Sequence, residues 1–235
     1  MKAKPFNFKK FTIHQDRCAL KVGTDGVLLG AWTNCKGAEK ILDIGSGTGV
    51  ISLMLAQRST AEIIAIEIDK DAAEQSAENF HNSLWNERLT LVHFSIQEYT
   101  ELKVRDKFDL IVSNPPFHSI QKETNQRSTA RSEQELNLTE LLYSVEELLM
   151  PTGKFCVIFP SIRAKELFES AATVELFPSK ICTVKGNPNS EVKRLLVEFQ
   201  FTKKQPTEHQ IVIEKERHNY TEEYKDLLKE YLTIF

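Results

Sequence analysis

The chain has 235 residues, 41% apolar and 27% charged, the balance of a globular chain with room for a sizeable core. Its 9 glycines and 8 prolines exclude collagen-like and low-complexity classes. Its densest apolar run, Val27–Trp32, falls far short of the roughly 18 residues that a membrane span needs.

The net charge of −3 hides an asymmetry: residues 1–40 carry eight Lys/Arg against three Asp/Glu, and residues 62–101 carry two against nine. Such a split fits a nucleic-acid partner, and it fits two solvated faces of opposite sign as well.

Predicted elements follow in chain order. Residues 41–45 form a short apolar run that ends in glycine, the pattern of a buried parallel strand, and 50–57 carries apolar residues at helical spacing. Residues 63–68 read as a second strand, and 69–80 as a helix with Asp69 and Asp71 at its start. Strands follow at 89–94 and 108–112, then a helix at 136–149 that Pro151 and Gly153 end. A strand at 154–159, a helix at 162–173, strands at 181–184 and 195–201, and an amphipathic helix at 220–231 complete the chain.

This alternation predicts an α/β fold with a doubly wound, mostly parallel seven-stranded sheet. One strand is expected to be antiparallel, because the last two lack a helix between them. No linker divides the chain, so residues 1–235 are expected to form a single domain, with a core over 41–235 behind an N-terminal extension over 1–40.

Three motifs carry chemistry. Asp43-Ile-Gly45-Ser-Gly47-Thr-Gly49 lies between a predicted strand and a predicted helix. Glycines there allow a tight turn and bring a ligand up to the backbone, and the helix start offers unpaired N–H groups. The spacing is not the dinucleotide pattern G-x-G-x-x-G, whose last position would fall on Val50. Glu67 ends the next strand, where a carboxylate can accept from both hydroxyls of a ribose. The competing reading is a plain βα turn flanked by capping or solvated acids. Asn114-Pro115-Pro116-Phe117 ends the fourth strand. Two prolines make a rigid corner that leaves carbonyls and a carboxamide exposed. An exocyclic amine is a poor nucleophile because its lone pair is delocalised. The Asn114 side-chain oxygen and the Pro115 carbonyl can both accept N–H bonds from such an amine, and Phe117 can stack on the ring that carries it. The competing reading is a strand-ending turn with a core phenylalanine. A third segment, Gly23-Thr24-Asp25-Gly26, is a polar turn ahead of an apolar run, where Thr24 or Asp25 can cap a helix.

Cys18, Cys35, Cys156 and Cys182 form no C-x-x-C pair, and the six histidines show no ligand spacing. No metal site is expected, and scattered cysteines suit a reducing cytosol. No apolar stretch follows the basic N-terminus, so a secretory signal is not expected.

The glycine loop and Glu67 resemble the class I, Rossmann-like methyltransferases that use S-adenosylmethionine. The resemblance implies that Asp43 and the loop of Gly45, Gly47 and Gly49 hold the methionine end of this cofactor and that Glu67 holds its ribose. The family commonly has an acid after the third strand that faces the adenine amine. This chain has Ser95-Ile96 there, so Ser95 or a backbone N–H is expected to take that place. Asn114–Phe117 resembles the N-P-P-[FYW] signature of methyltransferases acting on amino groups. It implies catalytic roles for Asn114, Pro115 and Phe117, with Asn114 also at the cofactor.

Residues 11–32, 41–57, Asn114–Phe117, Gln126-Arg127, Ala130-Arg131 and 219–235 are similar to bacterial tRNA methyltransferases that act on the 6-amino group of adenine 37 in a valine tRNA. This likeness implies a cytoplasmic enzyme, favoured as a monomer, with tRNA as partner. It places Lys21, Thr24 and Asp25 over the cofactor site, and Phe117, His118, Arg127 and Arg131 toward RNA. Lys2, Lys4, Lys9 and Lys10 would form a basic arm. With His118, the motif also resembles enzymes that methylate the 2-amino group of guanine in ribosomal RNA, which usually have two tandem domains. Protein-glutamine methyltransferases and a non-catalytic, cofactor-binding RNA scaffold are the other readings.

Overall fold

The computed structural model describes residues 3–102, 107–116 and 137–235. A hairpin of β1 (Phe6–Asn7) and β2 (Thr12–Ile13) precedes helix α1 (Thr24–Trp32). The chain then alternates through β3 (Lys40–Ile44), α2 (Val50–Ala56), β4 (Glu62–Glu67), α3 (Lys70–His81), β5 (Leu89–His93), α4 (Ile96–Glu101) and β6 (Phe108–Ser113). It continues with α5 (Leu138–Leu148), β7 (Leu149–Pro160), α6 (Ala164–Thr173), β8 (Phe177–Lys185), β9 (Val192–Gln200) and β10 (Thr207–Val212). A small hairpin of β11 (Glu214–Glu216) and β12 (Asn219–Tyr220) leads to α7 (Glu222–Leu228).

The central sheet has the order β10-β8-β9-β7-β6-β3-β4-β5. Strands β5, β4, β3, β6 and β7 run parallel to one another, and β9 is antiparallel to both β7 and β8. The expected single antiparallel strand is therefore β9. The expected seven strands are a miscount: β10 adds an eighth, parallel to β8. Its first four residues, Thr207 to Gln210, are exposed, so this edge strand carries no apolar alternation to betray it.

Side chains alternate across the sheet, as the strand period requires. Ile41 of β3 and Ile158 of β7 join one core with Leu28 of α1 and Met54 of α2. Leu42 and Val157 join a second core on the other face, with Leu141 of α5 and Leu167 of α6. Apolar packing on both faces explains why these strands read as continuous apolar runs.

Polar caps set several helix starts. Asp69 accepts from the Ala72 N–H at 2.8 Å, and Asn137 accepts from Thr139 at 2.8 Å. The Thr221 hydroxyl accepts from the Tyr224 N–H at 3.2 Å, so the last helix starts later than its apolar pattern suggests. The two ends of the chain are tied together. The Lys9 N–H donates to the Tyr231 carbonyl at 2.7 Å, and its ammonium donates to the main-chain oxygens of Lys229 and Phe235. Lys9 thus belongs to the packing of α7 and not to a free basic arm.

Gly49 is the N-cap of α2, at φ +78°, and a Cβ there would lie 2.6 Å from Ser76 Oγ and 2.5 Å from Phe80. Gly49→Ala should lower the unfolding free energy by about 3 kcal/mol, from left-handed strain plus overpacking. Gly37→Ala, at φ +81° in open space, should cost only about 1 kcal/mol. Urea denaturation of the two variants checks the difference.

Candidate functional site

Strands β3 and β6 are neighbours, with Ile44 opposite Ser113. The Ser113 hydroxyl donates to the Ile44 carbonyl at 3.0 Å. From β3 the chain crosses through α2 to β4 on one side, and β6 lies on the other. Connections that leave in opposite directions open a crevice above the carboxyl ends of the strands. A cavity of about 760 Å³ occupies it.

The glycine loop forms one wall. The N–H groups of Gly45 and Ser46 donate to the Ile66 carbonyl at 2.9 and 3.0 Å. Glu67, 8% exposed, holds the loop from the next strand: its Oε2 accepts from the Gly47 N–H at 2.8 Å and its Oε1 from the Asp69 N–H at 2.9 Å. Gly45 and Gly47 have φ of +75° and +55°, and a Cβ on either would enter open space. The loop therefore presents bare backbone to the cavity.

Asp43 lies fully buried beneath it. Its Oδ2 accepts from the Ser52 hydroxyl at 2.6 Å and the Ser52 N–H at 3.2 Å, while Oδ1 has no partner. Burial pushes its carboxyl up to about 6, against the pull of the Ser52 hydrogen bonds, and the charge of Glu67 adds to the rise. A buried carboxylate with an unpaired oxygen suits a cationic or donor group brought in from the cavity. The ammonium of an amino-acid moiety is such a group, so these residues fit the cofactor expected from the sequence.

Apolar and polar groups from the ends of β4 and β5 also line the cavity. Ile68 and Phe94 line it, and both are partly exposed. His93 Nε2 lies 3.0 Å from the Ile68 carbonyl. Ser95 and Ile96 also line the cavity, but the Ser95 hydroxyl is already engaged. It accepts from the Glu98 N–H at 3.1 Å and donates to the Glu98 carboxylate at 2.8 Å. The polar groups that remain at this helix start are the first-turn N–H groups of Ile96 and Gln97, which have no acceptor within the helix.

Asn114 and Pro115 stand at the end of the cavity formed by β6. Gly26 of α1 backs onto the carboxamide: a Cβ at residue 26 would lie 3.8 Å from Asn114 Nδ2. Asp43 and Gly49 brace the glycine loop from behind and do not line the cavity.

Two sequence expectations differ from the structure. Lys21, Thr24 and Asp25 do not line the cavity, and the neighbouring Leu20, 66% exposed, does. The Lys21 ammonium donates to the carbonyls of Gln15 and Cys18. Neither Thr24 nor Asp25 caps α1, whose N-cap is Gly23. Asp25 instead pairs with Arg194 of β9 at 2.8 Å. Phe117, His118, Arg127 and Arg131 lie outside the described residues. Sequence reasoning missed Leu20, Ile68 and Phe94. The strand-end logic that found Glu67 points equally to the residues just past β4 and β5. Among the described residues, no group of three or more His, Cys, Asp or Glu is placed to hold a metal ion. No described helix is long and apolar enough to cross a membrane.

Asp43 yields a pH signature. Its folded value is raised above the ordinary carboxylate value of 3.8, so the folded state loses stability as pH rises toward about 6. Asn at this position does not titrate. The stability of Asp43→Asn relative to the parent should therefore increase between pH 4 and pH 7, by at most ~3 kcal/mol. Urea midpoints across that range, without ligand, check the sign.

The family model described as "Methyltransferase small domain" matches residues 22–168. A tRNA1(Val) (adenine(37)-N6)-methyltransferase of Christiangramia forsetii is 47% identical, over 98% of this chain and 98% of its own length. One from Bacteroides fragilis is 43% identical over 96% of both chains. Among solved structures, a predicted O-methyltransferase from Agrobacterium tumefaciens superposes with a TM-score of 0.71 at 16% identity, covering 88% of this chain and 96% of that one. The T. thermophilus 16S rRNA N2 G1207 methyltransferase, in complex with AdoMet and guanosine, matches with a TM-score of 0.57 at 19% identity. That match covers 84% of this chain and 50% of the other.

Proposed function

Because this chain belongs to the methyltransferase small domain family, together with the tRNA1(Val) (adenine(37)-N6)-methyltransferases that it matches over nearly its full length, we propose that it methylates the 6-amino group of adenine 37 in a valine tRNA. S-adenosylmethionine is the methyl donor. The observation that carries this reading is the position of Asn114-Pro115 beside the glycine loop, on adjacent strands at one cavity.

When bound, the cofactor supplies an electrophilic methyl group on a sulfonium. The chain's own residues do the rest. Glu67 would hold the ribose: each of its oxygens keeps a second acceptor site beside the backbone bond it already takes. The loop backbone would meet the amino-acid end, with Asp43 buried behind it as a negative charge, and Ile68 and Phe94 would flank the adenine. The Asn114 side-chain oxygen and the Pro115 carbonyl would accept from the target amine. That localises its lone pair and aims it. Positioning and electrostatics carry the rate, and the amine gives up its proton to water after transfer, so no side-chain base is needed. Phe117 would stack on the adenine, and His118, Arg127 and Arg131 would meet the RNA around it. An anticodon-loop base reaches such a pocket with less unstacking than a base in a duplex. A tRNA substrate and four buried, unpaired cysteines support a cytoplasmic location.

The guanine reading is less favoured because the relatives 43–47% identical over nearly the whole chain are named for adenine 37. Incubation with labelled S-adenosylmethionine and unmodified tRNA, followed by nucleoside mass spectrometry, should give N6-methyladenosine at position 37. Labelled 2-methylguanosine in ribosomal RNA, with no transfer to tRNA, would contradict the proposal. Asn114→Ala should cut turnover at least ~100-fold, the scale of losing one group positioned for the transition state, with cofactor binding retained.

A further inference from the structure

Residues 14–22 cross from the β1–β2 hairpin to α1 along one side of the glycine loop, and buried amides of α3 fasten them there, Asn79 most extensively. Asn79 of α3 is 1% exposed. Its Oδ1 accepts from the His14 N–H at 2.9 Å, and its Nδ2 donates to the His14 carbonyl at 2.8 Å and to the Thr48 carbonyl at 2.9 Å. Thr48 lies between Gly47 and Gly49, so one side chain joins the crossing strap to the cofactor loop. Two weaker ties run beside it: Gln75 Oε1 accepts from the Arg17 N–H at 3.1 Å, and Cys18 Sγ donates to the Gly47 carbonyl at 3.6 Å. The strap is also stiffened internally. Val22 N–H donates to Gln15 Oε1 at 2.9 Å, and the Lys21 ammonium spans the carbonyls of Gln15 and Cys18.

Both ends of this network reach functional atoms. Leu20 lies in the cavity wall, and Gly47 is the loop residue that Glu67 grips. The strap runs through Gly23 into α1, whose Gly26 backs onto Asn114. The protein thus has a continuous path from the cofactor loop, through Asn79, to the element behind the amine-gripping corner.

We propose that Asn79 is a positioning residue for the methyl donor, acting through Thr48 and His14 so that the strap and the glycine loop close on the cofactor as one unit. This rests on the cofactor reading given above. The amide suits the task because it is donor and acceptor at once. Its three bonds satisfy one N–H and two carbonyls, and no single-function side chain of that size does the same. An aspartate keeps the acceptor for His14 but turns a second oxygen toward two carbonyls, and an alanine removes every tie.

The test is calorimetric binding of S-adenosylmethionine and S-adenosylhomocysteine to the full chain and to Asn79→Ala, Asn79→Asp and Tyr231→Phe. The last variant loses a buried hydrogen bond to the Met54 carbonyl, away from the strap, and controls for simple loss of stability. Both Asn79 variants should bind the cofactor about tenfold more weakly or worse, the scale of one or two buried hydrogen bonds, while Tyr231→Phe binds as the parent does. In steady state, KM for the cofactor should rise, with kcat at saturating cofactor within about twofold. Hydrogen exchange over residues 14–18 should slow on cofactor binding in the parent and not in Asn79→Ala. Unchanged cofactor affinity in folded Asn79 variants, or exchange that the cofactor does not slow in the parent, would overturn the proposal. If Asn79→Ala fails to fold, Asn79→Asp and the exchange of the parent decide it. A parent chain that binds neither ligand would instead overturn the cofactor reading itself, and the role of Asn79 with it.

Discussion

The cavity depends on the grip of Glu67 on the backbone of its own site. One carboxylate takes the Gly47 N–H from the loop after β3 and the Asp69 N–H from the start of α3. Two left-handed glycines in three residues make a loop that is costly to hold in one shape. Charge-assisted hydrogen bonds of roughly 1.5–3 kcal/mol each offset that cost and fix the loop with its backbone facing the crevice. The same carboxylate is the group best placed to meet a ribose. Under the proposed function, holding the loop and binding the cofactor fall to one side chain.

Around that grip the chain arranges a donor side and an acceptor side. Parallel pairing of β3 with β6 brings Asp43–Gly49 and Asn114-Pro115 to one edge, although 65 residues separate Gly49 from Asn114. Helix α1 then packs behind Asn114, and the Asp25–Arg194 ion pair ties its first turn to β9, 169 residues away in sequence. Partly exposed pairs of this kind stabilise by only about 1 kcal/mol. The value of this one lies in where it puts α1 relative to the catalytic corner.

What could be read from the sequence follows how local each signal is. The glycine loop, Glu67 and Asn114-Pro115 were legible because strand-end position and short spacing specify them. The central strands were legible because both of their faces are buried. Strand β10 was not, since exposed edge residues lose the apolar code. The capping expectation for Thr24 and Asp25 failed because the partner of Asp25, Arg194, comes from a strand near the other end of the chain. Lys9 looked like part of a basic arm, and its actual partners are carbonyls of the C-terminal segment after the last helix. Leu20 lines the cavity through tertiary placement, which no local pattern encodes.

The most direct measurement is a crystal structure with S-adenosylhomocysteine and adenosine bound together. The account predicts the homocysteine end over Asp43 and the glycine loop, the cofactor ribose hydroxyls on Glu67, and the adenosine 6-amino group on Asn114 and Pro115, facing the sulfur. A cofactor seated outside the β3–β6 crevice would contradict it. So would an adenosine amine turned away from Asn114.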